Sequence, residues 1–229
     1  MARLNPAPAT SGLPAPLVAL LFGTAGAVGT FLLLELWSAM AFAEQPLLWW
    51  AGRALGFLAY VALWLSMVFG VLVSSKGFGG RISQKWVMDL HQEWTLAAVI
   101  ATVLHVVVLV THAESGVTPW ASIIPFASER LTGEIAMGTV AGLVLALIAA
   151  TSWMRARVPY AAWRAIHALA FGAMILAIVH SITAGTDSET AGAQFLYLGT
   201  SMVLSAVTAL RVVLAVAGGK PAAPPERAR

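Results

Sequence analysis

The stretch WVMDLHQEWTLAAVIATVLHVVVLVT, residues 86–111, decides the fold class of this chain. It is long and apolar enough to cross a bilayer, because a spanning helix needs about 20 mostly apolar residues. It also contains His91 and His105, and an ionisable side chain inside hydrocarbon is costly unless it has a partner or a function. The stretch therefore predicts a transmembrane helix that carries a functional site.

The composition of the whole chain indicates the same class. Hydrophobic residues make up 59% of the 229 residues and charged residues 10%, whereas soluble proteins average about 25% charged residues. The apolar stretches of spanning length number six: 17–40, 47–73, 86–111, 131–152, 161–182 and 195–217. We therefore expect an all-α polytopic membrane protein. Its six-helix bundle occupies residues 17–217, between disordered cytoplasmic tails at 1–16 and 218–229.

The charges between the predicted spans indicate the topology. Basic residues follow the second, fourth and sixth spans, whereas the opposite connections are mainly acidic, with Arg130 the main exception. By the positive-inside rule both termini are cytoplasmic, and the expected location is the inner membrane of a bacterial cell. The net charge of +3 is scattered over loops, so no nucleic-acid partner is expected. A sequence resembling a signal-peptidase site at 41–43 leaves a signal peptide as the alternative for the first span.

Four histidines lie in matched pairs within these spans. Thirteen residues separate His91 from His105 in the third span, and twelve separate His167 from His180 in the fifth. The chain has no cysteine, which excludes iron–sulfur clusters and c-type haem attachment and leaves histidine as the expected iron ligand. The spacing therefore predicts two stacked b haems. Each is held from both sides by imidazole, a closed coordination that favours electron transfer.

The same spacing predicts which histidines pair. Because the third and fifth spans run in the same direction, His91 and His167 lie toward the cytoplasm. His105 and His180 lie toward the outside, about 20 Å away at a rise of about 1.5 Å per residue. A thirteen-residue step leaves His180 about 140° around an ideal helix from His167. The fifth span is therefore expected to be overwound, bent or coiled, with Gly172 as a candidate position for a bend.

Other interpretations of the histidines stay open at this point. They also fit hydrogen bonds across a helix bundle, or a proton path, in a protein without haem. His112 lies seven residues after His105 on the same helix face. It is either an interfacial or haem-edge residue or an alternative outer ligand.

Three sequence motifs accompany the histidines. They are Arg53-Ala54-Leu55-Gly56 with Gly70, the His91 and His105 pair, and Trp163-Arg164-Ala165-Ile166-His167 leading to His180. Together they resemble the ferric reductase-like transmembrane domain. That domain forms the membrane part of ferric reductases and NADPH oxidases and is similar to the haem subunit of the bacterial methionine sulfoxide reductase system. The resemblance covers residues 53–211, approximately.

The resemblance implies a ligand set for two b haems. His91 and His167 are the implied inner ligands, and the other two histidines are the outer ones. It also implies that Arg53 lies near the outer haem edge, for which a snorkelling cation is the alternative. Arg164 is a candidate counter-charge for a haem propionate or a flavin phosphate, for which a plain topology signal is the alternative.

The chain is expected to lack the flavin and nicotinamide domain of the larger enzymes, since about a dozen residues follow the sixth span. A flavoprotein, a bound FMN or the quinol pool must then supply electrons. The connection at 113–130 docks a periplasmic acceptor protein, caps the outer haem, or lies among membrane lipid headgroups. We therefore expect a di-haem b-type cytochrome, the electron-relaying module of a reductase system. The alternatives are a quinol-linked cytochrome b subunit of a larger redox complex and a haem-free structural or transport subunit.

Overall fold

The structure is a computed structural model that describes residues 47–75, 83–112 and 115–218. Helices make up 82% of these residues, among which there is no strand. The all-α prediction is therefore confirmed for this part of the chain. The first predicted span at 17–40 and both predicted tails, apart from residue 218, lie outside the described residues.

Five of the six predicted spans lie within the described residues. The helices that form them are α1 (Leu47–Ser74), α2 (Gln84–Thr111), α3 (Thr132–Trp153), α4 (Tyr160–Ala168) with α5 (Ala170–Ala184), and α6 (Ala191–Gly218). A short 3₁₀ turn, Arg155–Arg157, joins α3 to α4. Each span is long and apolar enough to cross a membrane, so the chain has the character of a membrane protein.

Helix α1 lies at the centre of the bundle. All ten residues from Tyr60 to Phe69 are buried, and a helix that is apolar and buried on every side must be surrounded by other helices. The other spans leave many large apolar side chains exposed, among them Leu96 at 61% and Val213 at 61%. Those faces are suited to lipid, because the bilayer core requires no polar covering.

Two helix pairs organise the bundle. Helix α1 packs most extensively against α2, and α3 packs most extensively against α5. Helix α6 is attached to α1 by polar contacts at Thr200, whose hydroxyl lies 2.6 Å from the Tyr60 hydroxyl and whose carbonyl accepts a hydrogen bond from Trp64 Nε1 at 2.8 Å. Such contacts between apolar helices contribute packing specificity within a bilayer.

The fifth predicted span is interrupted at Leu169, two residues after His167. The Leu169 amide donates to the Ile166 carbonyl at 3.0 Å, the three-residue spacing of a 3₁₀ turn, before the α-helical pattern resumes with Ala173 bonded to Leu169. A 3₁₀ turn is overwound relative to an α-helix. The expected departure from ideal helix geometry is therefore present, but it lies at Leu169, and Gly172 lies inside the regular helix α5.

Candidate functional site

The histidine-bearing helices bring their side chains together at two levels of the bundle. At one level, His91 of α2 faces His167 of α4, with ring centres 6.0 Å apart and ring planes at 74° to each other. At the other, His105 of α2 and His180 of α5 lie close enough to interact electrostatically. We call these the His91 level and the His105 level.

The spacing at the His91 level suits two ligands of one metal ion. Two metal–imidazole bonds of about 2.0 Å, with about 1.1 Å from each nitrogen to its ring centre, give roughly 6.2 Å between ring centres. The described residues contain no group of three or more His, Cys, Asp or Glu placed to hold a metal ion. The two imidazoles at this level are therefore the protein ligands that an ion between them could use.

Three of the four rings have a tautomer that the backbone dictates. Each donates a hydrogen bond from Nδ1 to a carbonyl oxygen of the neighbouring helix: His91 to Ser66 at 2.8 Å, His105 to Gly52 at 2.7 Å and His180 to Glu134 at 2.8 Å. A carbonyl oxygen only accepts, so a neutral ring keeps its lone pair on Nε2. Metal-ligating histidines are oriented and made more basic by bonds of this kind.

A glycine lies four residues after each accepting carbonyl, beneath the ring that the carbonyl binds. The pairs are Gly70 with His91, Gly56 with His105 and Gly138 with His180, for which an added Cβ would lie 3.2, 3.0 and 2.7 Å from the nearest ring carbon. Ordinary carbon contacts are about 3.5–4.0 Å, so any side chain would displace these rings. We call this arrangement of carbonyl, glycine and imidazole the carbonyl–glycine cradle.

The cradles repeat with the spacing of the histidines. Fourteen positions separate Gly56 from Gly70 along α1, as they separate His91 from His105 along the partner helix α2. A step of fourteen residues returns to nearly the same helix face. Helix α1 therefore presents an accepting carbonyl and a glycine at two depths of the bundle, and α2 presents an imidazole at the same two depths.

The fourth ring, His167, is held differently. Its Nδ1 is buried and has no hydrogen-bond partner among the described residues. The ring instead stacks on Trp163 of the same helix, with centres 4.9 Å apart and planes at 23°. Trp163 in turn donates from Nε1 to the Ser152 hydroxyl at 3.2 Å, and the Arg155 guanidinium lies 4.8 Å from the Trp163 ring centre.

Arg53 lies at the His105 level, directly after the Gly52 carbonyl that binds His105. Its Nε donates to Asp187 Oδ2 at 2.6 Å, and its terminal nitrogen Nη2 binds the other carboxylate oxygen. The guanidinium also lies over the Trp50 ring at 4.3 Å. The side chains of Arg53 and Asp187 are 24% and 16% exposed, so this bidentate pair is partly desolvated and joins the start of α1 to the turn between α5 and α6.

The remaining predicted residues stay apart from the histidine pairs. Arg164 has an exposed side chain on α4, one turn before His167. His112 is buried at the end of α2, with its ring centre 5.8 Å from that of Trp49. The structure thus places His112 beside an aromatic ring beyond the His105 level.

Sequence reasoning missed several residues of this site. It did not find the accepting carbonyls, because a backbone carbonyl has no residue identity to recognise. Gly138 and the contact of Trp163 with His167 were also missed, as was Asp187 as the partner of Arg53. One signal was available, since Gly56 and Gly70 repeat the fourteen-residue spacing of the histidines.

The arrangement has a definite chemical capacity. The rings of His91 and His167 lie 6.0 Å apart, His105 and His180 lie close enough to interact electrostatically, and at least three of the four rings carry their lone pair on Nε2. Among the described residues these Nε2 atoms make no hydrogen bond. Each pair could therefore hold one metal ion between two nitrogen ligands.

Comparison with known proteins identifies the family but not an activity. No curated protein and no solved structure matches the chain. A family model described as a domain of unknown function, DUF8596, matches residues 47–187, which is more than half of the chain. The matched range includes all four paired histidines, the three cradle glycines and the Arg53–Asp187 pair. The chain belongs to the DUF8596 family.

Proposed function

We propose that this chain is a di-haem b-type membrane cytochrome that relays electrons between the two faces of a membrane. The observation that carries the proposal is the carbonyl–glycine cradle, which recurs at three of four paired histidines. Each cradle leaves Nε2 as a free ligand in an apolar interior. A histidine that served only as packing or as a hydrogen-bonding group between helices would have no need of an unpartnered Nε2.

The residues present fit haem b on three counts. The donor set is two neutral imidazoles at each level, which is the axial ligation of a low-spin cytochrome. The ring centres at the His91 level are 6.0 Å apart, close to the separation expected across one shared ion. The glycines let the rings approach the neighbouring helix closely, where any added Cβ would lie within 3.2 Å of a ring carbon. Haem b supplies a one-electron iron couple when it is bound.

The protein's own residues orient and insulate the proposed site. The carbonyls of Ser66, Gly52 and Glu134 fix the direction of three rings. Helix α1, buried from Tyr60 to Phe69, packs along the helix that carries His91 and His105. A closed site with both axial positions filled has no place for a substrate, which suits electron transfer better than catalysis.

The separation of the two levels sets the distance that an electron travels and the energy it gains from the membrane potential. Fourteen residues of α2 between His91 and His105 correspond to about 21 Å along the helix axis. Moving one charge about 20 Å through a core of roughly 30 Å is worth about 1.5 kcal/mol per 100 mV of membrane potential. In an inside-negative bacterial inner membrane with cytoplasmic termini, electron flow from His91 to the His105 level is favourable.

The chain acts in this proposal as one module of a reductase system. A flavoprotein, FMN or quinol donates electrons at the His91 level, and a periplasmic protein accepts them at the His105 level. This is the role that the resemblance to ferric reductase-like domains implies. Arg53 and Arg164 then lie near opposite ends of the relay. The Arg53 guanidinium already pairs with Asp187, so Arg164, whose side chain is exposed, is the candidate that neutralises an anionic group of a donor or cofactor.

A spectroscopic experiment on the purified full-length chain tests the proposal. We expect a Soret band, a sharpened α band on dithionite reduction, and two b haems per chain by the pyridine haemochromogen assay. His91→Ala and His105→Ala should each leave about one haem per chain. The matched control is His112→Ala, which removes an imidazole directly after the same helix and outside the pairs, and should retain both haems.

The outcomes separate the competing functions. Absence of haem, or haem retained when all four paired histidines are alanine, overturns the proposal and leaves a structural or transport subunit. One haem per chain removes one level of the relay. Reduction of the purified chain by a quinol alone, and not by a reduced flavin, identifies a quinol-linked cytochrome b subunit instead.

A further inference from the structure

The loop at 115–131, between α2 and α3, presents large apolar side chains outward. Trp120 is 69% exposed, Ile123 59%, Ile124 50% and Phe126 70%. We call these four residues the loop patch. Phe126 has a φ of +67°, a left-handed conformation that side chains other than glycine adopt at a cost. The loop therefore adopts a strained backbone conformation at Phe126 while the Phe126 side chain stays exposed.

The loop is attached to the side of α3 and not to its tip. Ala121 is 1% exposed, and its carbonyl accepts a hydrogen bond from the Thr139 hydroxyl at 2.8 Å. Thr139 lies seven residues after the first residue of α3, about 10 Å along the axis. The preceding residue, Gly138, supports His180. The loop patch consequently lies near the depth of the His105 level.

The backbone around the patch is internally hydrogen bonded, as a segment at the edge of hydrocarbon must be. The amides of Ile123 and Ile124 donate to the Trp120 carbonyl at 3.1 and 2.7 Å. The amide of Ser122 donates to the Thr118 carbonyl at 3.3 Å. These turns leave apolar side chains, and few free backbone groups, on the outer surface.

The patch continues an apolar stripe of α3. Leu143 and Leu147 lie one and two turns after Thr139 on the same helix face, and each is 44% exposed. We propose that the loop patch is a lipid-binding surface, which inserts its side chains among the acyl chains at the headgroup boundary beside the His105 level. Interfacial segments bury apolar side chains about 5–10 Å deep in this way.

The absence of cysteine from the chain makes a clean test possible. Single spin labels are attached at Trp120→Cys and Ile123→Cys in the full chain, reconstituted in phosphatidylcholine and phosphatidylglycerol vesicles. Collision rates with lipid-soluble oxygen and with a water-soluble nickel chelate report depth. Leu143→Cys is the lipid-facing control. Glu189→Cys, at an exposed residue in the turn between α5 and α6, is the water-facing control.

We expect both loop labels to prefer oxygen over nickel several-fold more strongly than Glu189 does, and less strongly than Leu143, which lies deeper along α3. Nickel accessibility equal to that of Glu189 overturns the proposal and leaves the patch free for a protein partner. Labels shielded from both reagents also overturn it, because they would indicate burial against protein. The result is independent of haem, so it does not depend on the proposed function.

A second inference concerns how His167 is held, and it rests on the proposed function. His167 lacks the cradle that orients the other three rings, and its buried Nδ1 has no partner among the described residues. Its ring faces His91 on one side and stacks on Trp163 on the other, at 6.0 and 4.9 Å between centres. Stacking thus takes the orienting role that a carbonyl has elsewhere.

We infer that Trp163 is the positioning residue for His167, which makes His167 the most easily displaced of the four ligands. Trp163 is itself held by its bond to Ser152 and by the Arg155 guanidinium. Without the indole, nothing described in the structure would fix the rotation of the His167 ring. The stacking of Trp163 on His167 would then keep both axial positions occupied at the His91 level.

Carbon monoxide tests this inference in the purified protein, because it binds reduced haem iron only where an axial ligand leaves. We expect Trp163→Ala to bind carbon monoxide at one of its two haems, and Trp163→Phe, which keeps a stacking ring, to bind little. Trp153→Ala, at a residue 92% exposed near the same end, should behave as the wild type. Two haems without carbon monoxide binding in Trp163→Ala, or equal binding in Trp163→Phe, overturns the inference. Absence of haem from the wild type overturns the proposed function instead.

Discussion

The sharpest test of the carbonyl–glycine cradle is the substitution Gly138→Ala in α3. The new Cβ would lie 2.7 Å from His180 Cε1 and Nδ1 and 2.9 Å from Nε2. Favourable contacts are about 3.5–4.0 Å, so the ring must retreat by roughly 1 Å. Its Nδ1 now lies 2.8 Å from the Glu134 carbonyl, and the retreat would stretch that hydrogen bond beyond its useful range.

The cost of this substitution follows from those distances. Loss of the hydrogen bond contributes about 1 kcal/mol and overpacking about 1–3 kcal/mol. The better helix propensity of alanine offsets about 1 kcal/mol. We therefore expect Gly138→Ala to destabilise the protein by about 1–3 kcal/mol, which corresponds to a loss of roughly 2–4 °C in Tm for each kcal/mol.

Gly142→Ala is the matched control, since it makes the same change one turn further along α3. A Cβ at Gly142 would have its nearest neighbour, Thr102 Cγ2, at 3.9 Å. This variant should be as stable as the wild type or more so. The measurement is thermal unfolding of both variants in one detergent, followed by the haem content of each. If Gly138→Ala unfolds at the temperature of Gly142→Ala, the cradle does not hold His180 as argued.

Three further predictions address contacts around the site. Asp187→Ala should lower the free energy of unfolding by about 1–3 kcal/mol, because it removes the carboxylate that pairs with a partly buried guanidinium. Arg53→Lys should lower it by less. If the two effects add fully in a double-mutant cycle measured by thermal unfolding, the Arg53–Asp187 pair does not contribute the coupling expected of it. Ser66→Ala removes only the hydroxyl, so His91 keeps its carbonyl partner. We expect the free energy of unfolding to change by less than about 1 kcal/mol and the haem content to stay the same. Haem loss in this variant would show that the hydroxyl, and not the carbonyl, orients His91. Thr200→Val removes a buried hydroxyl that is hydrogen bonded to Tyr60 of α1. The free energy of unfolding, measured by chemical denaturation, should fall by about 1 kcal/mol; an unchanged value would show that this hydrogen bond does not stabilise the bundle.

The sequence predicted the spans well because a membrane crossing depends on length and apolarity alone. The predicted span at 86–111 compares with α2 at Gln84–Thr111, and that at 131–152 with α3 at Thr132–Trp153. Both signals are local, and no tertiary contact can override the need for about 20 apolar residues. The number of six spans remains a prediction, since the stretch at 17–40 lies outside the described residues.

The prediction of the site was less complete. Helix rise alone gives the heights of His91 and His105, and parallel spans give their partners. The groups that orient the rings cannot be predicted in the same way. Asp89, two residues before His91, accepts a hydrogen bond from Lys85 at 2.9 Å, and the imidazole binds the Ser66 carbonyl. Every residue has a carbonyl, so no side chain distinguishes the one that binds.

The amino-acid sequence by itself determined that this protein belongs in a membrane and that its imidazoles occupy two depths, because apolar length and helix rise are properties of one segment. Only the tertiary structure decided what surrounds each imidazole, because that depends on the rotation and register of two helices against each other. It distinguishes the three rings cradled by a carbonyl and a glycine from His167, which stacks on Trp163. It also places the helix interruption at Leu169 and not at Gly172, which lies within helix α5.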